Sequence, residues 1–470
     1  MTTDRTDHRR TDHRPSGALH PDRLLPADPG TRDIARRIYG QVAGLPLVAV
    51  HGHVPAAMIA DDEPWSDPAT LLVAKDHYVL RVLHSIGVPL DQLLGDVDPR
   101  ELWRLFCTHW SAFRGTNTRT WLEAELLDLF DVATPLSAET ADESYDLIAK
   151  RLAEPALRPK ALFRRFDLEL LSTTDPPGSD YGDHLRLQQE GLTVVPTLRP
   201  DSLCDPTRPG WTGAVEAAGV SSYRGLVDYL AAERRRSVEA GAVATDHGHL
   251  RPDTADLGDT EASALFDRLA AGRGGPGDAE LLSAQLLTVN AVLSLEDGLV
   301  MQLHPAVRRD YDRAAMARYG SDIGADFPLS VTFTDALRPL LERCGNEPGM
   351  RFVAFTVDET VFSRDLAPLA SYWPGMYLGA PWWFLDAADA MTRHFAAVAE
   401  SAGYAKLTGF VDDTRAYASI PTRHDVARRI FAGHLARMVA EHRLSEDEAV
   451  EVAAAYAYHQ PKAVYRVGGR

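Results

Sequence analysis

The chain has 470 residues, 45% hydrophobic and 25% charged, so it can bury a large core without a disulfide framework or a structural metal. Its formal net charge of −18, from 49 Lys plus Arg against 67 Asp plus Glu, excludes a sequence-independent nucleic-acid binder and a protein that docks on anionic membranes. The three cysteines, Cys107, Cys204 and Cys344, are far apart and form no CxxC pair, which speaks against a thiolate zinc site.

Residues 1–30 are polar, charged and proline-bearing, with a near-repeat TDHR at 6–9 and 11–14. That composition predicts a disordered, solvated tail, with His8, His13 and His20 as tail residues and not as a metal tract. Residues 1–17 lack an apolar core, so no signal peptide is expected. No stretch approaches the ~20 apolar residues of a membrane span. The expectation is a cytoplasmic protein.

Residues 31–470 read as one decorated unit. Short apolar runs recur at 47–50 (LVAV), 168–172 (LELLS), 192–196 (LTVVP), 242–245 (AVAT), 299–303 (LVMQL), 352–356 (FVAFT), 376–379 (MYLG) and 407–411 (LTGFV). Each has the length of a parallel strand buried on both faces. Helical periodicity fills the intervals, most clearly at 279–292 (AELLSAQLLTVNAV). Strands and helices alternating in this way predict an α/β fold, a (β/α)8 TIM-type barrel, with LSVTF at 329–333 as a possible further strand. The stretch at about 55–165 carries helical patterns of its own, at 102–106 and 121–130, and reads as a mostly helical insertion after the first strand. GRGGPGD at 272–278 reads as a loop between two helices. A helix is expected over 426–439, and Ser445 with Glu448 forms a capping-box pattern opening a last one.

The C-terminal ends of barrel strands converge on one face, where active sites are built. Chemistry-capable residues follow every run: His51 and His53; Thr173, Thr174 and Asp175; Arg199 and Asp201; Asp246 and His247; His304 with Arg308 and Arg309; Asp358 and Glu359; Trp382 and Trp383; Asp412, Asp413 and Arg415. His51 and His53 stand two apart, so on a strand both imidazoles face one side and can ligate one ion. Asp412 or Asp413 offers an oxygen from across the closed barrel, and His304 offers a third nitrogen. Two or three nitrogens with one carboxylate are a catalytic ligand set for one divalent metal, zinc first, with manganese or another ion as alternative. Asp175 reads as a turn or cap residue.

The motifs HGH at 51–53, DHYVLRVLHSIGV at 76–88, TTDP at 173–176, RPD at 199–201, DHG at 246–248, QLH at 302–304, WWF at 382–384, DDTR at 412–415 and RHDVARR at 423–429 occur in this order. Together they resemble the uronate isomerase (glucuronate/galacturonate isomerase) family of the amidohydrolase superfamily, from about residue 35 to the C-terminus. The chain departs from the family in reading TTDPP where the family usually has TTDDP. The resemblance implies an aldose–ketose isomerase that interconverts D-glucuronate and D-fructuronate, and D-galacturonate and D-tagaturonate, by proton transfer through an enediol. It implies metal ligation by His51, His53, His304 and Asp413. Asp413 is also the expected base, and His77 and Tyr78 are candidate acid, base or oxyanion donors. Arg415, Arg199 and Arg309 are candidate partners for the substrate carboxylate, which wants a bidentate guanidinium. Asp246 and Trp383 complete the expected substrate site. The implied partner is a small hexuronate, and a homo-oligomer is expected. Two rival functions fit the same ligands: a metal-dependent hydrolase of a carboxylate-bearing substrate, and an inactive sugar-acid binder. The arginine-rich mouth and the DHY motif favour the isomerase.

Overall fold

A computed structural model describes residues 19–468. Its strands are β1 (Leu47–Ala49), β2 (Leu168–Ser172), β3 (Val194–Val195), β4 (Thr197–Leu198), β5 (Ala244–His247), β6 (Val300–Leu303), β7 (Val307–Arg308), β8 (Phe327–Pro328), β9 (Phe352–Ala354) and β10 (Met376–Leu378). Parallel pairing runs β1–β2–β3 in one sheet and β4–β5–β6–β9–β10 in another. β3 and β4 are two halves of one pass, interrupted at Pro196, which has no N–H to give the ladder. A bridge between Asp175 and Leu198 joins the two sheets, and a second, Leu378 to Leu407, adds the last segment. The His53 N–H donates to the Thr414 carbonyl at 3.0 Å and closes the ring. The architecture is the expected (β/α)8 barrel.

Two details differ from the sequence reading. The run 407–411 stands in the eighth position but pairs only at Leu407, because Gly409 sits at φ +87° and turns the backbone out of the extended region. The run 329–333 is not a strand. β8, just before it, pairs antiparallel with β7, and the Phe333 N–H donates to the Asp365 carboxylate instead of a ladder partner.

β1 shows why its run is apolar throughout. Val48 and Val50 pack into the cluster that fills the barrel, while Leu47 and Ala49 face a second cluster built on Trp103, Phe106, Leu126 and Phe130. That second cluster belongs to the helices between β1 and β2, from Ala56–Asp61 to Pro159–Arg165. The glycine-rich loop at 272–278 separates helices Asp259–Ala270 and Asp278–Asp297. Helix Glu446–Ala454 opens on a complete capping box from Ser445 and Glu448.

The 21-residue helix Ile420–Ala440 lies along helix Pro29–Val42. Its Arg428 donates to the carbonyls of Ala43 and Pro46, both at 3.0 Å, and so pins the turn that feeds β1. The same helix orders part of the segment read as tail. Arg23 pairs with Asp425 at 2.5 Å, Arg429 donates to the Pro21 carbonyl at 2.7 Å, and Leu24 and Leu25 pack against the core. Two leucines and a proline in a polar stretch are enough to fasten residues 20–28, so the expected disorder does not extend to residue 30. His8 and His13 lie outside the described residues. No helix among the described residues is long and apolar enough to cross a membrane.

Candidate active site

His51 and His53 leave the C-terminal end of β1 with both Nε2 atoms aimed at one point. They stand 3.2 and 2.9 Å from Oδ1 of Asp413, with side-chain exposures of 1% and 22%. Asp413 reaches that point from the far side of the ring seam, at φ +43°, an uncommon conformation for a residue with a side chain. Its Oδ1 is buried and makes no hydrogen bond. Burial alone would raise the Asp413 carboxyl, but His53 and His51 beside it hold it well below the usual carboxylate range. Two imidazole nitrogens converging on an ionised, otherwise unpartnered oxygen form a donor set that suits a divalent cation. Asp412, the alternative acid, faces away and lies 3.2 Å from Nε2 of His424.

His304 stands behind this point. Its ring stacks on His51 at 4.6 Å and on Phe355 at 3.9 Å, and its Nδ1 lies 2.6 Å from Oδ1 of Asp246. It groups with His51 and Asp246, whereas the convergent trio is His51, His53 and Asp413. Its Nε2 is buried without a hydrogen-bond partner. Burial lowers the His304 imidazole against the pull of Asp246, which favours the neutral ring that a cation requires.

Asp246 is fully enclosed and does not reach the pocket wall. Burial would raise its carboxyl, and Arg199 and His304 reverse this strongly. The direct substrate contact expected of Asp246 therefore gives way to orientation of its two neighbours. Arg199 is held at 3.2 Å by Asp246 and at 2.8 Å by Asp201, and it lines the pocket with its remaining edge. Gly248 makes this possible: a Cβ there would lie 1.7 Å from Nη2 of Arg199. Gly248→Ala is expected to expel the guanidinium and to lower turnover about 10²-fold, the usual cost of an ångström-scale misplacement at a site. Steady-state kinetics with a melting curve check this.

The opposite wall comes from the helical insertion. Asp76 caps helix His77–Ser85 by accepting from the N–H groups of Tyr78 and Val79, which presents His77 and Tyr78 to the pocket. The Tyr78 hydroxyl donates to the Trp383 carbonyl at 3.3 Å, and burial raises its pKa, so it stays protonated at neutral pH. Trp383 holds φ +52°, and the Arg309 guanidinium lies 5.3 Å from its ring centroid. Arg415 reaches the mouth, 3.5 Å from Nε2 of His77. The pocket opens to solvent and has a volume of about 330 Å³, room for a small-molecule ligand.

Sequence reasoning missed several residues here. Asp322, Asp326 and Lys75 line the pocket, and Asp322 pairs with Arg415. Asp322 sits on an irregular loop with no periodic signal around it. Arg423 stood in a quoted motif without a role. Its guanidinium lies 4.0 Å from the Trp121 ring and 5.1 Å from that of Tyr78, and it donates to the Asp412 carbonyl at 2.8 Å. It therefore braces both the phenol and the backbone that carries Asp413.

Around Arg423 lie two buried acids. Burial pushes the Asp386 carboxyl up to about 7 against the pull of Arg423, and pushes Glu125 up to about 8. Both hold a proton in the fold that the unfolded chain releases near its ordinary value of roughly 4. Stability from these groups is thus complete at low pH and is lost as pH rises through 7 and 8. The melting temperature of Glu125→Gln is expected to fall less, or rise more, than that of wild type from about pH 5 to about pH 9, and that of Asp386→Asn likewise. Thermal melts across the range check both.

Of the other strand-end residues, Thr174 and Trp382 line the pocket and several stay outside it. Glu359 pairs with Arg393 on the surface, and Asp358 caps its own turn through Thr360. Arg308 lies in the β7–β8 ladder, exposed. Asp175 accepts from Thr173 and sits 3.7 Å from His184. His247 turns toward His249 and Asp201.

Residues 30–465 match the glucuronate isomerase family. A uronate isomerase from Xanthomonas campestris pv. campestris (strain B100) is 46% identical over 465 residues, covering 96% of this chain and 99% of the relative. The crystal structure of glucuronate isomerase from Caulobacter crescentus superposes with a TM-score of 0.94 at 42% identity, covering 96% and 98% of the two chains. That of uronate isomerase from Thermotoga maritima gives 0.90 at 28% identity, covering 95% and 99%. The match spans every strand of the ring and every residue that lines the pocket, and the chain belongs to the glucuronate isomerase family.

Proposed function

We propose that this protein interconverts D-glucuronate and D-fructuronate, and accepts D-galacturonate on the same path to D-tagaturonate. The observation that carries the reading is the convergence of His51, His53 and Asp413 at the floor of a pocket whose mouth holds Arg309 and Arg415, on a chain of this family. A hydrolase of a carboxylate-bearing substrate would use the same floor and the same arginines, and membership of this family is what speaks against it.

The reaction moves the C2 proton of the open-chain aldehyde to C1, and the O2 proton to O1. Asp413, held ionised, is the base for the carbon-bound proton. Tyr78, held protonated, and His77 face the sugar oxygens and exchange the proton between O1 and O2. Arg415, with Arg309 beside the Trp383 ring, fixes the C6 carboxylate. A divalent ion held by His51, His53 and Asp413, with His304 behind, supplies Lewis acidity that lowers the cost of negative charge on O1 and O2. The nitrogen-rich donor set suits zinc, with manganese as the alternative. The same reading makes the protein a cytoplasmic, self-associating enzyme of sugar-acid catabolism.

The test is a panel of hexuronates beside a hexuronate ester and a lactone, each with and without chelator. Ketose from the free acids, diminished by chelator, is expected. Acid release from the ester or lactone without any ketose would assign the pocket to hydrolysis.

A further inference from the structure

Five arginines line the pocket, and three of them, Arg199, Arg309 and Arg415, are held in different ways. Arg199 is locked by two buried carboxylates of the barrel, Asp201 and Asp246. Arg309 lies against the Trp383 ring and 3.8 Å from the buried Asp326. Arg415 pairs with Asp322, which does not belong to the barrel framework. Asp322 stands near the end of the excursion between β7 and β8, at φ +70°. That excursion is fastened close by: Arg81 donates to the carbonyls of Gly324 and Asp326 at 2.9 and 2.6 Å, and the Asp322 N–H donates to Asp310 at 3.1 Å. The backbone is therefore set so that the Asp322 carboxylate meets Arg415 while its Oδ1 lies 3.5 Å from Nε2 of His77. It offers to these two residues the group that a uronate would offer them.

We propose that Asp322 is a positioning residue of the mouth and an internal competitor for the substrate carboxylate: its carboxylate holds the Arg415 guanidinium in the free enzyme, and a ligand takes that guanidinium only by bringing a carboxylate of its own. The inference rests on the isomerase reading above. The pair is well exposed, 39% for Arg415 and 37% for Asp322, so it is weak and readily exchanged. A sugar acid trades one carboxylate for another on the same guanidinium. A neutral aldose has nothing to trade and leaves the Asp322–Arg415 pair in place. Asp322 thus holds Arg415 in place in the free enzyme at a cost in affinity that only a carboxylate ligand bears.

Calorimetric titration with D-gluconate, which has the carboxylate and no carbonyl to isomerise, and with neutral D-glucitol tests this. Asp322→Asn is expected to bind D-gluconate about fivefold or more tighter than wild type, with no such gain for D-glucitol. The gain should vanish when Arg415→Ala is added. Asp322→Ala should repeat the gain, and melting curves show that both variants fold. Wild type that binds D-gluconate while neither variant gains, or an equal gain for D-glucitol, would overturn the inference and leave the isomerase reading standing. Wild type that binds neither D-gluconate nor D-glucuronate would overturn both.

Discussion

Asp413→Asn is expected to lower kcat on D-glucuronate by about 10³-fold or more and to weaken binding of a divalent metal ion. In the proposed reaction one side chain carries both roles. Its Oδ1 is the point on which His51 and His53 converge, and those two imidazoles hold the carboxyl ionised. Loss of a positioned base alone is worth about 10²–10⁴-fold. The amide matches the carboxylate in shape but is neither a base nor an anionic ligand. Since Asp413 is held at φ +43° by the closing hydrogen bond from His53 to Thr414, the variant should keep its fold. Turnover, metal content and a melting curve on one preparation check this. Retention of a tenth of wild-type kcat would remove Asp413 from the chemistry.

Arg415→Ala is expected to lower kcat/KM by about 10²–10³-fold, the 3–4 kcal/mol that an interfacial charge pair commonly yields when one partner is truncated. Most of the change should appear in KM if the carboxylate is gripped equally throughout the reaction, and in kcat if the grip aligns C1 and C2 over Asp413. Arg415→Lys should recover little, because a point charge does not reproduce the planar fork. At 39% exposure the residue carries no core packing, so folding should be unaffected. An alanine variant within tenfold of wild type would move the carboxylate site to Arg309.

Much of this was legible in the chain itself, for a physical reason. Parallel strands buried on both faces must be apolar throughout, so 47–50, 168–172 and 299–303 declare themselves, and active-site residues stand at their ends. His51, His53, His304 and Asp413 all follow strand runs, and the structure brings them to one floor. What escaped was set by loops and by long-range packing. Asp322 meets Arg415 only because Arg81 fastens the loop behind it. Arg423 lies within a helix, and its worth depends on Trp121 and Tyr78 from a part of the chain far away in sequence. Asp246 lies near the C-terminal end of β5, but it is sealed in by Arg199 and His304, and no local pattern distinguishes a residue at the wall from one just behind it. The choice between Asp412 and Asp413 turned on a single backbone angle.

The central claim is that this pocket converts an aldose acid into a ketose acid. One measurement addresses it most directly: incubate the purified protein, supplied in turn with Zn²⁺ and Mn²⁺, with D-glucuronate and then D-galacturonate, and follow each by NMR. The prediction is growth of D-fructuronate signals to a steady ratio with D-glucuronate. Unchanged spectra for both acids under both metals would contradict it.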